Sequence, residues 1–192
     1  MNKYEVVRNC KKHEKHEYLK HLSEQILINS NNKYLNYQIL RLSNVYGENI
    51  SEKKQNNRQV LNRVILDALF KKKIKVFGTG NYFRDFIHVK DVCDAIFKIT
   101  TNNHIRNEIF NIGTGKKYRL IDVFNKIKGL ISLKYGYSIK IKKIKLEKIS
   151  SDRSDIRNFQ ASISKSKKKF GMKTTITLEN GLNNLITHVY KK

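Results

Sequence analysis

The residues best suited to chemistry lie in the run Arg84-Asp85-Phe86-Ile87-His88-Val89-Lys90-Asp91-Val92, just after Gly78-Thr79-Gly80. A guanidinium such as that of Arg84 suits a diphosphate through paired charge-assisted hydrogen bonds. An ion pair with Asp85 or Asp91 would occupy it instead. Gly78-Thr79-Gly80 and Gly113-Thr114-Gly115 are glycine pairs not to be mistaken for dinucleotide loops. Neither has a third glycine, nor a following helix with an acidic residue about 20 positions on, so neither reads as a dinucleotide loop. His13, His16 and His21 cluster near the N-terminus, where an imidazole can exchange protons near neutral pH or simply sit on a surface.

Local patterns say how these groups are carried. Ile74 to Phe77 alternates apolar and basic residues as a strand, and the two following glycines let the chain turn back. Phe86, Ile87 and Val89 make a second short apolar run. Asp91 then stands at an N-cap position, before Val92, Ala95, Ile96 and Ile99 at helical spacing.

Met1 to Lys15 is polar and aperiodic and is expected to be irregular. Glu17 to Ile28 reads as a helix burying Leu19, Leu22 and Ile26, with Glu24 and Gln25 outward. Tyr37 to Ser43 reads as a buried strand, Glu48 to Asn57 as an exposed loop and Val60 to Leu69 as a well-buried helix. Glu108 to Ile112 is a further strand and Leu120 to Ile131 a further helix. In Ile139 to Leu146 the apolar residues change parity, which predicts a bulge near Lys142-Lys143. Ser164 to Phe170 is a short helix stopped by Gly171, and Leu178 to Val189 closes the chain. Strands alternating with helices argue for an α/β fold with a parallel sheet.

The 192 residues suffice for one domain around a single core. A net charge of +24 raises nucleic acid or an anionic membrane as a partner, but the basic residues run from Lys3 to Lys192 and are not gathered on one element. Abundant Lys, Asn and Ile with no Pro suggests a compositional bias instead, and Lys71-Lys72-Lys73 and Lys167-Lys168-Lys169 read as solvated helix ends. Two isolated cysteines, Cys10 and Cys93, do not make a disulfide framework or a metal site, and no apolar run has membrane-span length. A soluble, cytoplasmic protein is expected.

Three segments, Arg41-Leu42-Ser43-Asn44-Val45-Tyr46-Gly47, Arg84-Asp85-Phe86-Ile87-His88-Val89 and Phe110-Asn111-Ile112-Gly113-Thr114-Gly115, resemble in order and spacing the NAD-dependent epimerase/dehydratase family. These are extended short-chain dehydrogenases acting on nucleotide sugars. The resemblance covers about Glu14 to Tyr190 and implies a partial Rossmann-like parallel sheet plus the family's small C-terminal substrate-binding region. It divides the chain into an irregular basic segment, 1–16, and the C-terminal part of the family's domain, 17–192, without the Gly-rich NAD-binding half.

The resemblance also assigns residues. The family's catalytic Tyr and Lys stand one helical turn apart, so that the ammonium lowers the phenol's pKa while NAD takes the hydride from the sugar C4. Lys20 and Glu24 match the Lys-x-x-x-Glu part, which makes Lys20 catalytic and cofactor-binding and puts His16 at the Tyr position. Tyr18 is two residues out of register, and no Ser or Thr stands upstream. Asn44, Arg84 and Arg153, with Arg157 as the second choice to Arg153, fall where the family contacts the nucleotide diphosphate.

The expectation is therefore a truncated nucleotide-sugar epimerase or dehydratase that keeps the substrate-binding part, with NAD as the implied cofactor and no metal. Pairing through Glu17 to Ile28 into a homodimer, or with a complementing N-terminal half, is implied. A noncatalytic nucleotide-sugar-binding subunit and a basic nucleic-acid-binding protein stand as alternatives, nucleic acid being disfavoured by the spread of charge.

Overall fold

The computed structural model describes residues 12–32, 34–48, 59–145 and 158–191, with side chains from Glu17. In chain order the elements are α1 (Lys12–Asn29), β1 (Gln38–Leu42), β2 (Asn44–Tyr46), α2 (Val60–Lys71), β3 (Lys73–Phe77), β4 (Phe83–Arg84), β5 (Phe86–His88) and α3 (Val89–Thr100). Then follow β6 (Glu108–Ile112), β7 (Tyr118–Arg119), α4 (Leu120–Tyr135), β8 (Lys140–Ile144), α5 (Ser164–Phe170) and α6 (Leu178–Tyr190).

The α/β class holds. The parallel pairing is divided into three two-stranded ladders, β1 with β6, β2 with β5 and β3 with β8, while β4 and β7 pair antiparallel.

A single core was expected, but two apolar clusters form. One gathers α2, α4 and α6 around Ile74, Val76, Tyr46 and Phe86. The other joins Ile87, Val92, Ala95 and Ile99 to Phe110, Ile112 and Met172. Strand β5 divides them, because successive side chains of a strand point to opposite faces, so Phe86 enters one cluster and Ile87 the other.

Several local expectations change. Helix α1 begins at Lys12, ahead of the expected Glu17. Lys and Glu are good helix formers, and the apolar spacing used to place the start marks only part of the helix. The orientation of α1 is also reversed. Leu19 and Ile26 are exposed, at 51% and 63%, whereas Glu24 faces β1 and takes the Arg41 guanidinium, Nε to Oε1 at 2.9 Å. A bidentate ion pair thus sets the helix face, not the apolar stripe. The contact holds the Glu24 carboxyl below its usual range.

No bulge interrupts β8. Residues Lys140 to Ile144 pair without a break with Lys73 to Phe77, and the parity conflict resolves because Ile144 lies on the outer face beside Phe77. Ile96 is exposed on α3, where Val92, Ala95 and Ile99 form the buried stripe.

Asp91 is not the N-cap. That position belongs to His88, whose Nδ1 accepts the Lys90 N–H at 3.3 Å. The buried Asp91 carboxylate instead accepts the Thr175 N–H and hydroxyl, both at 2.9 Å, tying α3 to the strap before α6.

Candidate functional site

The site grows from two neighbouring strand ends. Strand β2 lies parallel to β5 with Asn44 opposite Phe86, and Arg84 closes β4 just before it. Between them the Asp85 carbonyl accepts both the backbone N–H and the side-chain Nδ2 of Asn44, each at 3.0 Å. That doubled bond holds the Asn44 amide against the strand that carries Arg84.

The turn that brings Arg84 back requires glycine. Gly80 has φ +73°, and a Cβ there would stand 2.8 Å from Val76 Cγ1. L-residues with side chains rarely take that conformation. The following backbone is then fixed by Leu120 N–H to Tyr82 O at 2.9 Å and Ile121 N–H to Gly80 O at 3.0 Å.

Asp85 is fully buried. Its carboxylate accepts the Thr114 N–H at 2.9 Å, the Thr114 hydroxyl at 2.6 Å, the Gly115 N–H at 2.9 Å and the Ala161 N–H at 3.2 Å. Four donors compensate the burial of the charge. In the second glycine pair the Thr114 and Gly115 amides are thus spent on Asp85. Among the described ion pairs none joins Arg84 to Asp85 or Asp91, the partners considered from the sequence; Arg84 donates to the Phe83 carbonyl at 3.0 Å.

Asn44 and Arg84 line one cavity of about 160 Å³. Val60, Val64, Phe77, Phe86, Leu120 and Phe124 give it an apolar, aromatic lining, and Arg63 and Lys75 add two cations beside Arg84. A space of this size takes one planar ring.

Arg63 and Lys75 were missed. Arg63 lies between the apolar positions of α2, and Lys75 alternates with Ile74 and Val76, so both read as solvated. Only the packing of α2 beside β3 and β4 gives those outer faces a shared wall.

The other predicted residues fall elsewhere. Lys20 is exposed on α1 and does not line the cavity, with His16 one helical turn ahead of it. Arg153 and Arg157 lie outside the described residues. The described chain resumes at Asn158, whose Oδ1 accepts the Phe83 N–H at 2.9 Å beside Arg84. Among the described residues no group of His, Cys, Asp and Glu is placed to hold a metal ion, and no helix is long and apolar enough to cross a membrane.

Comparison with known proteins bears out the family resemblance read from the sequence. Residues 2–113 match the model of the NAD dependent epimerase/dehydratase family. A putative UDP-glucose 4-epimerase from Methanocaldococcus jannaschii is 36% identical over 111 residues, 57% of this chain and 34% of that protein. Among solved structures, the UDP-glucose 4-epimerase of Thermotoga maritima, determined with UDP-glucose, superposes with a TM-score of 0.74 at 25% identity, covering 90% of this chain and 52% of that one.

The ADP-L-glycero-D-manno-heptose-6-epimerase of Helicobacter pylori superposes with a TM-score of 0.71 at 21% identity, covering 90% of this chain and 50% of that one, which shows the shared fold. The chain thus spans about half the length of these solved relatives and about a third of the curated one. With the family model matched over more than half of its residues, the chain belongs to the NAD-dependent epimerase/dehydratase family.

Proposed function

We propose that this chain binds a nucleotide-diphosphate sugar, with the base in the cavity between α2, β3 and α4 and the diphosphate at Asn44 and Arg84. One observation carries the reading: residues from separate strands, both expected to meet a diphosphate, line one ring-sized aromatic cavity. Arg63 and Lys75 support it, since two further cations at the rim suit a doubly charged phosphate chain. The whole-enzyme chemistry in this reading is NAD-dependent oxidation at the sugar C4 followed by return of the hydride.

Neither glycine pair fits a dinucleotide pyrophosphate. Thr114 and Gly115 give their amides to Asp85, and the Gly78 N–H is bonded to the Ile144 carbonyl at 2.8 Å. Lys20, in register for the family's cofactor-binding lysine, is the one described residue that supports an NAD contact. This mismatch favours a second reading, a noncatalytic or complementing nucleotide-sugar-binding subunit. Strand β1 pairs with β6 alone among the described residues, leaving an edge able to accept another strand. Leu19, Ile26 and Leu27, exposed on α1, support pairing through that helix.

Calorimetry with UDP, UDP-glucose, dTDP-glucose, ADP-glucose and NAD tests both readings. Saturable binding of a nucleotide diphosphate, weakened at least about tenfold by Arg84→Ala, is expected. A folded chain that binds none of them, or binds equally well after Arg84→Ala, overturns the assignment. NAD binding by the chain alone would sink the second reading.

A further inference from the structure

The lysines that look dispersed along the chain are partly gathered by the fold. Strands β3 and β8 run parallel with Lys73 opposite Lys140 and Lys75 opposite Lys142. Alternate residues of a strand share a face, so these four lysines stand together on the side away from buried Ile74 and Val76. Lys73, Lys140 and Lys142 also border one open cleft with Lys71, Lys72 and Lys143, which Ser138 and Ile141 complete.

Like charges directly opposite each other destabilise a strand pair. Lys71 is paired with Asp67, and Lys72 donates to the Leu69 carbonyl and lies over the Tyr137 ring. Among the described ion pairs and hydrogen bonds, none compensates Lys73, Lys140, Lys142 or Lys143. The contrast with α5 is informative: there Lys165 and Lys169 both meet Glu108 at 2.9 Å, so a lysine-rich element of this chain does find carboxylates elsewhere.

We propose that this outer face of the β3–β8 ladder is a binding surface for the phosphodiester backbone of an extended, single-stranded polynucleotide. The four cations form two opposed pairs, roughly 6.6 Å apart along each strand and about 4.8 Å between strands. A linear polyanion whose successive charges lie at about this separation can bridge both pairs. A membrane surface fits less well, because Phe77 and Ile144 on this face and Ile141 at the cleft are all half-buried and present no fully exposed apolar side chain to insert. The nucleotide cavity shares Lys75 and Phe77 with the face, and the variant below changes neither.

The test is fluorescence anisotropy of a labelled oligo-dT of about 20 nucleotides with the full chain, between about 50 and 200 mM KCl. The ladder variant is Lys73→Gln/Lys140→Gln/Lys142→Gln, which spares Lys75. A control of equal charge loss, Lys128→Gln/Lys168→Gln/Lys173→Gln, is spread over α4, α5 and the strap before α6. Circular dichroism and thermal melting verify the fold of each variant without relying on the nucleotide cavity.

At roughly 0.7 per lysine, the slope of log Kd against log salt should fall by about 2 in the ladder variant and by less than half of that in the control. Equal losses in the two variants would show a diffuse charge effect and overturn the proposal. So would the absence of saturable binding at the lowest salt. Ladder-dependent retention on phosphatidylserine vesicles, with no oligonucleotide binding, would likewise reject the polynucleotide in favour of a lipid surface.

Discussion

The Asp85 carbonyl receives two hydrogen bonds from one residue, the backbone N–H and the side-chain Nδ2 of Asn44, each at 3.0 Å. The amide that faces the cavity is thereby fixed to the strand that carries Arg84. Asn44→Asp keeps the shape but removes the donor and sets a carboxylate against a carbonyl and beside the position proposed for the diphosphate. UDP binding, measured by calorimetry, should weaken by about tenfold or more, the effect of roughly 1.4 kcal/mol lost at a charged group. Unchanged affinity would mean that Asn44 does not face the ligand.

The Asp85 carboxylate joins three segments through Thr114, Gly115 and Ala161. Asp85→Ala leaves three backbone N–H groups and a hydroxyl without their acceptor. Chemical denaturation should show a loss of about 3–5 kcal/mol. A loss below about 1 kcal/mol would show that water replaces the carboxylate at this position.

Gly181 lies inside α6, where Ala would ordinarily gain about 1 kcal/mol in helix propensity. A Cβ there would collide with the Tyr46 ring, standing 2.9 Å from Cε2 in the core. Gly181→Ala is therefore expected to lower stability by about 1–3 kcal/mol despite the better propensity. A stabilised variant would show that the ring shifts freely.

Burial pushes the His88 imidazole below its ordinary value of 6.5, against the opposing pull of Glu48 and Asp91 and with Lys90 adding to the depression. The unfolded chain then takes up its proton first as pH falls. His88 thus contributes stability that is present above pH 6.5 and is lost on acidification through the window below it. Thermal melts between pH 7.5 and pH 5 should show a steeper decline for the natural chain than for His88→Asn, in which an amide keeps the cap on Lys90. Parallel declines would remove His88 from this role.

Much of the local structure was legible in the chain itself. Ile74, Val76, Phe86 and Ile87 announce their strands, Gly171 stops α5 in the left-handed conformation, and the period of α2 gives its buried face. The segment around Arg84 also carries the family likeness, because a turn, a strand and a helix of fixed lengths must follow one another to hold it. These are properties of near neighbours in sequence, and periodicity reports them.

Tertiary structure decided what sequence neighbours do not. Leu19 and Ile26 made α1 look buried on the side that is exposed, because the ion pair of Glu24 with Arg41 is formed across a distance no period reports. Asp91 looked like a cap and is instead a buried staple to Thr175, a partner remote in sequence. Arg63 and Lys75 became cavity residues only when α2 and β3 packed beside β4, and the lysines of β3 and β8 became a ladder only when those strands paired. The sequence alone determined the elements and the family; the register and packing between distant segments determined which charges meet.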